Sequence, residues 1–300
     1  MTDATADIIC PFLIDSGLTR GQAVRLQKTL DDIIFQHRYP EPVGILIAQS
    51  ALLTSLLAST IKFDGVFTLQ IQGSGAVSML AVDLTTDGNM RGYARFEEDA
   101  VAEAYRKVKD GAPAVPTFFK DGTLSFHVET NGQSYQGITA LDQPSLADCV
   151  SEYFRQSEQI ATVLKIEVAP PDGKRESWTG AAIMLQRLPF DKKISEEIPE
   201  EEIADLWETA TVLLHSATKE EMLDEKLSLE KLLYRLYHGN NLHFFIQKAI
   251  QFGCRCSRNK VITMLKSFSE KDRQEMAVNG EIKVDCQFCG KSYTVGSEDL

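Results

Sequence analysis

The sequence predicts an α+β protein: a large N-terminal domain with an antiparallel sheet and helices (1–188), a helical linker (189–239) and a small C-terminal zinc-binding domain (240–300). Three observations predict it. Between Asp64 and Phe96 apolar residues recur with a period of two and are separated by short polar turns, a meander and not the alternating strand–helix rhythm of a doubly wound fold. Residues 191–231 carry thirteen acids against five lysines, so this stretch supplies -8 of a net charge of -12. Four of the six cysteines close the chain in two tight pairs, Cys254-Arg255-Cys256 and Cys286-Gln287-Phe288-Cys289.

Taken in order, residues 18–38 (LTRGQAVRLQKTLDDIIFQHR) read as an amphipathic helix with Val24, Leu26, Leu30, Ile33 and Ile34 apolar. Pro40 and Pro42 end it. Val43 to Ile61 is nineteen residues without a charge, close to a membrane-spanning length. Gln49, Ser50, Thr54, Ser55, Ser59 and Thr60 are spread through it, and no basic cluster or aromatic belt flanks it. It reads as a helix buried in a soluble core, and no membrane partner is expected. Val66–Gln72, Ala76–Leu84 and Arg91–Phe96 are the strands of the meander, with turns at Gly73-Ser74-Gly75 and Thr86-Asp87-Gly88-Asn89.

A helix over Glu97–Lys109 precedes a hairpin, Thr123–Glu129 and Ser134–Leu141, hinged on Asn131-Gly132. Ser145–Gln159 is a capped helix, with Ser145 able to accept from early backbone N–H groups and Asp148 at the capping-box position. Ile160–Ala169 and Ser177–Arg187 complete the sheet, and Pro189 closes the domain. Glu200–His215, Lys219–Glu225 and Leu229–Tyr237 are short helices with like charges and limited apolar faces, marginal alone in water. They form either a solvated linker or a segment held folded by its neighbours. His243–Phe252 reads as a strand leading into Cys254.

Two cysteines close in sequence can offer two thiolates to one ion, and a second pair across a loop completes the tetrahedral sulfur site that structural zinc prefers. Gly290 permits the sharp turn of a knuckle. Four unrelated buried cysteines or two ordinary disulfides are the alternatives, and the single residue inside the first pair departs from the usual two. Cys10 and Cys149 stand apart, and Cys149 reads as a small core residue with no histidine to activate it. The five histidines (His37, His127, His215, His238, His243) have no metal spacing, and His238 and His243 are unnecessary as ligands beside four thiolates. No phosphate loop, dinucleotide fingerprint or convergent acid–base pair is present, so neither a catalytic residue nor an organic cofactor is expected. Residues 254–300 hold eight basic and seven acidic residues and lack the basic face that phosphate neutralisation demands. A composition of 43% hydrophobic and 25% charged residues is that of an ordinary soluble globular protein. Met1–Asp7 has no basic residue ahead of an apolar run, so no export signal is expected, and paired thiols then point to the reducing cytoplasm.

Cys254-x-Cys256 and Cys286-x-x-Cys289-Gly290 resemble the zinc centre of the heat shock protein 33 family, redox-regulated holdase chaperones. Further stretches resemble the same family: Lys62-Phe63-Asp64-Gly65, Thr68–Gly73, Arg91–Phe96, Tyr135-Gln136-Gly137-Ile138, Tyr153–Gln159 and Leu185–Pro189. Ser257-Arg258-Asn259-Lys260 lacks the acid that the family tends to carry there, and residues 113–122 fit its pattern poorly.

The resemblance implies one Zn2+ on Cys254, Cys256, Cys286 and Cys289 in the reduced, inactive state. It implies that oxidation joins Cys254 to Cys256 and Cys286 to Cys289, releases the metal and unfolds the linker. The Cys254–Cys256 ring would be very small, hence strained and readily reduced. It further implies unfolded client proteins as partners, held without ATP, and a homodimer in the oxidised form. Two other classes compete: a nucleic-acid-binding or RNA-modifying protein with a purely structural zinc ribbon, and an enzyme whose zinc only staples the terminus. The missing basic face and the missing polar site count against them in turn.

Overall fold

The computed structural model describes residues 7–130, 133–173, 175–189, 198–296 and 299–300. The expected Asn131-Gly132 turn and most of the 191–201 stretch lie outside them. Among the described residues the fold is α+β, with two large sheets and a small hairpin. The first sheet contains β1 (Ile8–Ile14), β2 (Thr19–Leu26), β8 (Thr162–Ala169) and β9 (Thr179–Arg187), in the order β1-β2-β9-β8, all antiparallel. The second contains β3 (Gly65–Gly73), β4 (Val77–Thr85), β5 (Asn89–Phe96), β6 (Gly122–Thr130) and β7 (Gln133–Ala140), in the order β5-β4-β3-β6-β7. The meander therefore forms as expected.

Helix α2 (Glu41–Ser59) packs against strands of both sheets and is buried on nearly every side. It is long and apolar enough to cross a membrane, yet 83% of its most apolar window is covered by the protein itself. Two of its buried hydroxyls are satisfied within the helix: Thr54 donates to the Ser50 carbonyl at 2.7 Å and Ser55 to that of Ala51 at 2.8 Å, whereas Ser50 Oγ is buried without a partner. Helices α3 (Glu98–Lys109), α4 (Ala114–Phe119) and α5 (Leu146–Tyr153) border the second sheet and α2. Ser145 caps α5 as expected, accepting from the Asp148 N–H at 3.1 Å, and the helix ends in a π-helical turn over Phe154–Glu158.

The helix expected over 18–38 is a correction. Its first half is β2, and only α1 (Lys28–His37) is helical. What looked like the charged face of a helix is a strand whose charges find partners across the fold. Arg20 donates to Gln186 at 2.6 Å, and the Arg25 guanidinium is buried against the carbonyls of Met222 (2.8 Å) and Leu227 (2.6 Å). Gly21 is required where it stands: a Cβ there would lie 2.0 Å from the Phe12 ring, which crosses it from β1. Strand β1 and helix α4 were not anticipated.

The linker segment forms α6 (Glu200–Ser216), α7 (Lys219–Met222) and α8 (Leu229–Tyr237). One face of these helices is packed and the other is exposed. Ala210, Leu214, Met222, Leu227, Leu232, Leu233 and Tyr237 form one buried cluster with Phe12, Ile14, Ala23, Ile183 and Leu185 on the first sheet. The opposite face of that sheet packs on α2, so its strands are buried on both faces. Residues 243–252, expected as one strand, are three two-residue pieces instead. β10 (His243–Phe244) and β11 (Lys248–Ala249) lie on β1, and β12 (Gln251–Phe252) lies on β5. The chain switches sheets within ten residues, which a single strand cannot do.

Arg25→Met should leave the Met222 and Leu227 carbonyls without their buried donor, at a cost of about 1–3 kcal/mol. A fall in the urea midpoint, with hydrogen exchange over 219–237 accelerating more than in α2, is the expected result.

Candidate metal centre

Cys254 and Cys256 follow β12 directly and precede α9 (Arg258–Lys266), whose N-cap Ser257 accepts from the Lys260 N–H. Cys286 and Cys289 sit in the turn between β13 (Glu281–Asp285) and β14 (Ser292–Gly296). Gly290 there has φ +64° and donates to the Cys286 carbonyl at 2.8 Å, the sharp turn its sequence position suggested. The four Sγ atoms lie within 4.8 Å of one another, with Cys254 to Cys286 at 3.7 Å and Cys256 to Cys289 at 3.4 Å. A tetrahedron with Zn–S bonds of about 2.3 Å has edges of about 3.8 Å. All four thiols are free and only partly buried. The donor set thus fits one soft, tetrahedral metal ion.

The four sulfurs make a site that a cation would suit. Burial pushes Cys254 up, but the backbone N–H of Cys256, the Arg91 guanidinium at 3.7 Å and the neighbouring thiols outweigh it and bring it down to about 7. Burial pushes Cys286 up, with the Cys254 thiol adding to the rise and that of Cys289 opposing it, and burial pushes Cys289 up to about 12, with the thiols of Cys256, Cys254 and Cys286 adding to the rise. The protein itself favours the thiolate at Cys254, and a bound positive ion would favour that form at every sulfur it touched. Apolar packing contributes little here. The buried cluster under the hairpin consists of Leu265, Ile282 and Val295. After the thiol chemistry, α10 (Glu270–Met276) adds no fully buried residue.

The centre is tied to the outer face of the second sheet. Asp83 on β4 is 4% exposed and accepts from Thr68 (2.7 Å), Arg91 (2.7 Å) and Arg255 (2.7 Å). Arg255 is the residue inside the first cysteine pair, so the single-residue spacing places a guanidinium on the sheet. Arg91 also lies 3.8 Å from the centre of the Phe288 ring, inside the second pair. The Phe288 carbonyl accepts from Gln36 at 3.1 Å and lies 3.2 Å from His37 Nε2. Tyr293 donates to Cys256 Sγ at 3.1 Å.

The four cysteines expected as one group are brought together. Cys10 and Cys149 are buried in separate cores, and burial raises both, Cys10 to about 11. Among the described residues the candidate metal cluster contains no histidine. Asp83, Arg91, Arg255 and Phe288 were not singled out from the sequence. The signal was an acid inside an otherwise apolar strand, VSMLAVDLT, which demands a buried partner.

A sequence model described as Hsp33 protein matches residues 7–296. The chain belongs to the Hsp33 family. Among its relatives, the 33 kDa chaperonin of Pseudomonas fluorescens is 34% identical over 100% of this chain and 94% of its own length. That of Pseudomonas syringae pv. syringae is 36% identical over 96% and 90%, and that of Caulobacter vibrioides 31% over 97% and 95%. The crystal structure of the Thermotoga maritima 33 kDa chaperonin shares the fold, with a TM-score of 0.77 at 18% identity over 98% of this chain and 96% of that one. Stretches that carried the Hsp33 resemblance fall at structural joints. Arg91–Phe96 is β5 with the arginine that meets Cys254, and Tyr153–Gln159 is the π turn in which Tyr153 donates to Glu158 at 2.6 Å.

Two outcomes check the centre. Cys10→Ser and Cys149→Ser should leave bound metal per chain unchanged, whereas serine at any of the four clustered cysteines should abolish stoichiometric binding. Arg91→Met, which keeps every ligand, should weaken metal affinity about tenfold in a chelator competition, as loss of an outer hydrogen bond does elsewhere.

Proposed function

We propose that the chain is a redox-regulated, ATP-independent holdase chaperone, inactive while Cys254, Cys256, Cys286 and Cys289 hold one Zn2+. The observation that carries the reading is continuity. The first ligand, Cys254, follows without a linker from residues 243–252, which lie on both sheets, and those follow α8, which covers Phe12 and Ile183. Bound zinc supplies folding free energy to 240–300, on the order of 10–16 kcal/mol in small zinc modules. The chain's own residues do the rest: Asp83, Arg91 and Arg255 hold the centre against the sheet.

In this reading residues 1–188 form the client-binding domain, 189–239 the linker and 240–300 the sensor. Oxidation forms Cys254–Cys256 and Cys286–Cys289, the pairing the family resemblance implies. Each pair of thiolates gives up two electrons as its S–S bond forms, and hydrogen peroxide accepts them with two protons, its O–O bond breaking to leave two water molecules. The metal leaves because its donor pairs are now in S–S bonds. The linker then loosens, and the apolar face beneath it, including Phe12, Ile14, Ile183 and Leu185, becomes available to unfolding proteins. The acids of the linker keep the complex soluble. Unfolded clients, a homodimer in the oxidised form and a cytoplasmic setting belong to the same proposal. Catalysis, nucleic acid and membranes do not.

Peroxide treatment should release about one zinc per chain and switch on suppression of client aggregation, with exchange over 198–237 accelerating and dithiothreitol reversing all three. Equal suppression before and after treatment would sink the switch. Peptide mapping of the oxidised protein should recover Cys254–Cys256 and Cys286–Cys289; links between the two pairs would overturn the pairing.

A further inference from the structure

Residues 243–252 form a strap whose register shows what the edge beneath it accepts. Leu13 lies opposite His243 and Phe12 opposite Phe244, then Ile9 opposite Lys248 and Ile8 opposite Ala249. Between these pairings three strap residues face two of β1, so the strap bulges. Ile246 consequently stands 89% exposed. The bulge falls at Pro11, whose carbonyl accepts from the Phe245 N–H at 3.0 Å and which has no N–H to offer in return. The Asp7 carbonyl accepts from Ile250 at 2.8 Å and the Asp15 N–H donates to Asn240 at 2.7 Å, so alternate main-chain groups of β1 point at this edge. The period of two adds those of Ile9 and Leu13. A full-length outer strand is thus covered by two-residue pieces, and without them β1 is an open edge of the first sheet.

We propose that this edge of β1 docks an extended segment of an unfolding client as an added outer strand, and that residues 243–252 occupy it as an internal stand-in until the metal is lost. The inference rests on the holdase reading and names where and how the client binds. The stand-in tells the chemistry of the occupant. His243–Gln247 (HFFIQ) carries no formal charge with its histidine neutral, and Phe244 and Ile250 turn apolar side chains into the cores on either side. An unfolded chain offers such segments; a folded protein, whose strands are already paired, does not. Strand addition draws its affinity from main-chain hydrogen bonds and so tolerates many sequences. Beside the edge lies a cleft of about 930 Å³ whose wall is shared between Ile9, Pro11, Ile61 and Phe63 and the strap residues Ile246 and Ile250, and departure of the strap would open it to the side chains of an added strand. The strap is pinned at its far end, where the Gly253 N–H donates to the Met90 carbonyl at 2.8 Å one residue before Cys254.

The test is amide exchange at Ile9, Leu13 and Asp15 in the full chain. These amides should be slow in the reduced, zinc-bound protein and about tenfold faster or more after peroxide and chelator treatment. Thermally unfolding citrate synthase, added as client, should slow them again. Ile250→Asp provides a second route. It loosens the strap with every cysteine intact, and the reduced variant should then hold client at the same amides. Edge amides that stay slow in both released forms, or stay fast while aggregation is suppressed, overturn the docking edge and leave the holdase reading standing. Protection that appears without client and rises with protein concentration replaces the client by a second copy of this chain, and also overturns it. Fast edge amides with no suppression of aggregation sink the holdase reading itself.

Discussion

Four thiols held within 4.8 Å of one another are the constraint on which the rest of the structure depends. Neutral, they are weak donors that pack poorly; ionised, they repel. The protein favours the thiolate at Cys254, through the Cys256 backbone and Arg91. A bound cation would turn this conflict into a contribution to folding in the last fifty residues, where the apolar cluster has three buried side chains at its centre. A module built this way has two states with little between them. With metal it would be fixed; without metal it would have only this small apolar cluster to fall back on.

That local alternative reaches the remainder of the molecule because the centre is attached at two points of different character. One is polar: Asp83 receives both Arg91 and Arg255, a buried carboxylate whose partners come from the sheet and from between the ligands. Removing one guanidinium leaves the others inadequately paired, so the attachment is held together or lost together. The other is the strap, joined by backbone hydrogen bonds to β1 and β5. Through it the metal centre is continuous with α8 and the cover over the first sheet.

How much of this was legible follows the physics of each part. The meander β3–β5 and the later hairpin were readable because one face meets the core and the other meets solvent, which preserves the period of two. Strands β1 and β2 were not, because the linker helices bury their second face. IICPFLI carries no alternation at all, and in β2 the charges of Arg20 and Arg25 imitate a helical polar face. Gly21 was the local clue, since glycine costs a helix interior about 1 kcal/mol. The four cysteines and the Gly290 turn could be read from spacing alone. Their anchorage could not, because Asp83 and Arg255 are 172 positions apart and only the sheet register brings them together.

In the proposed switch, residues 198–237 are the part through which a small metal centre would govern a large surface. Between 201 and 237 fewer than one residue in three is buried. Each large apolar side chain buried contributes about 1.5–3 kcal/mol, while ordering each backbone residue costs about 1–2 kcal/mol. With burial this sparse and acids repelling along the helices, the segment has little stability of its own. It is held at two points: at its C-terminal end by the strap, and in its middle by Arg25 reaching the carbonyls of Met222 and Leu227. In the proposed switch, release of one end would shift the whole segment, and the acids that make it marginal would become the solubilising flank of the apolar face it covers.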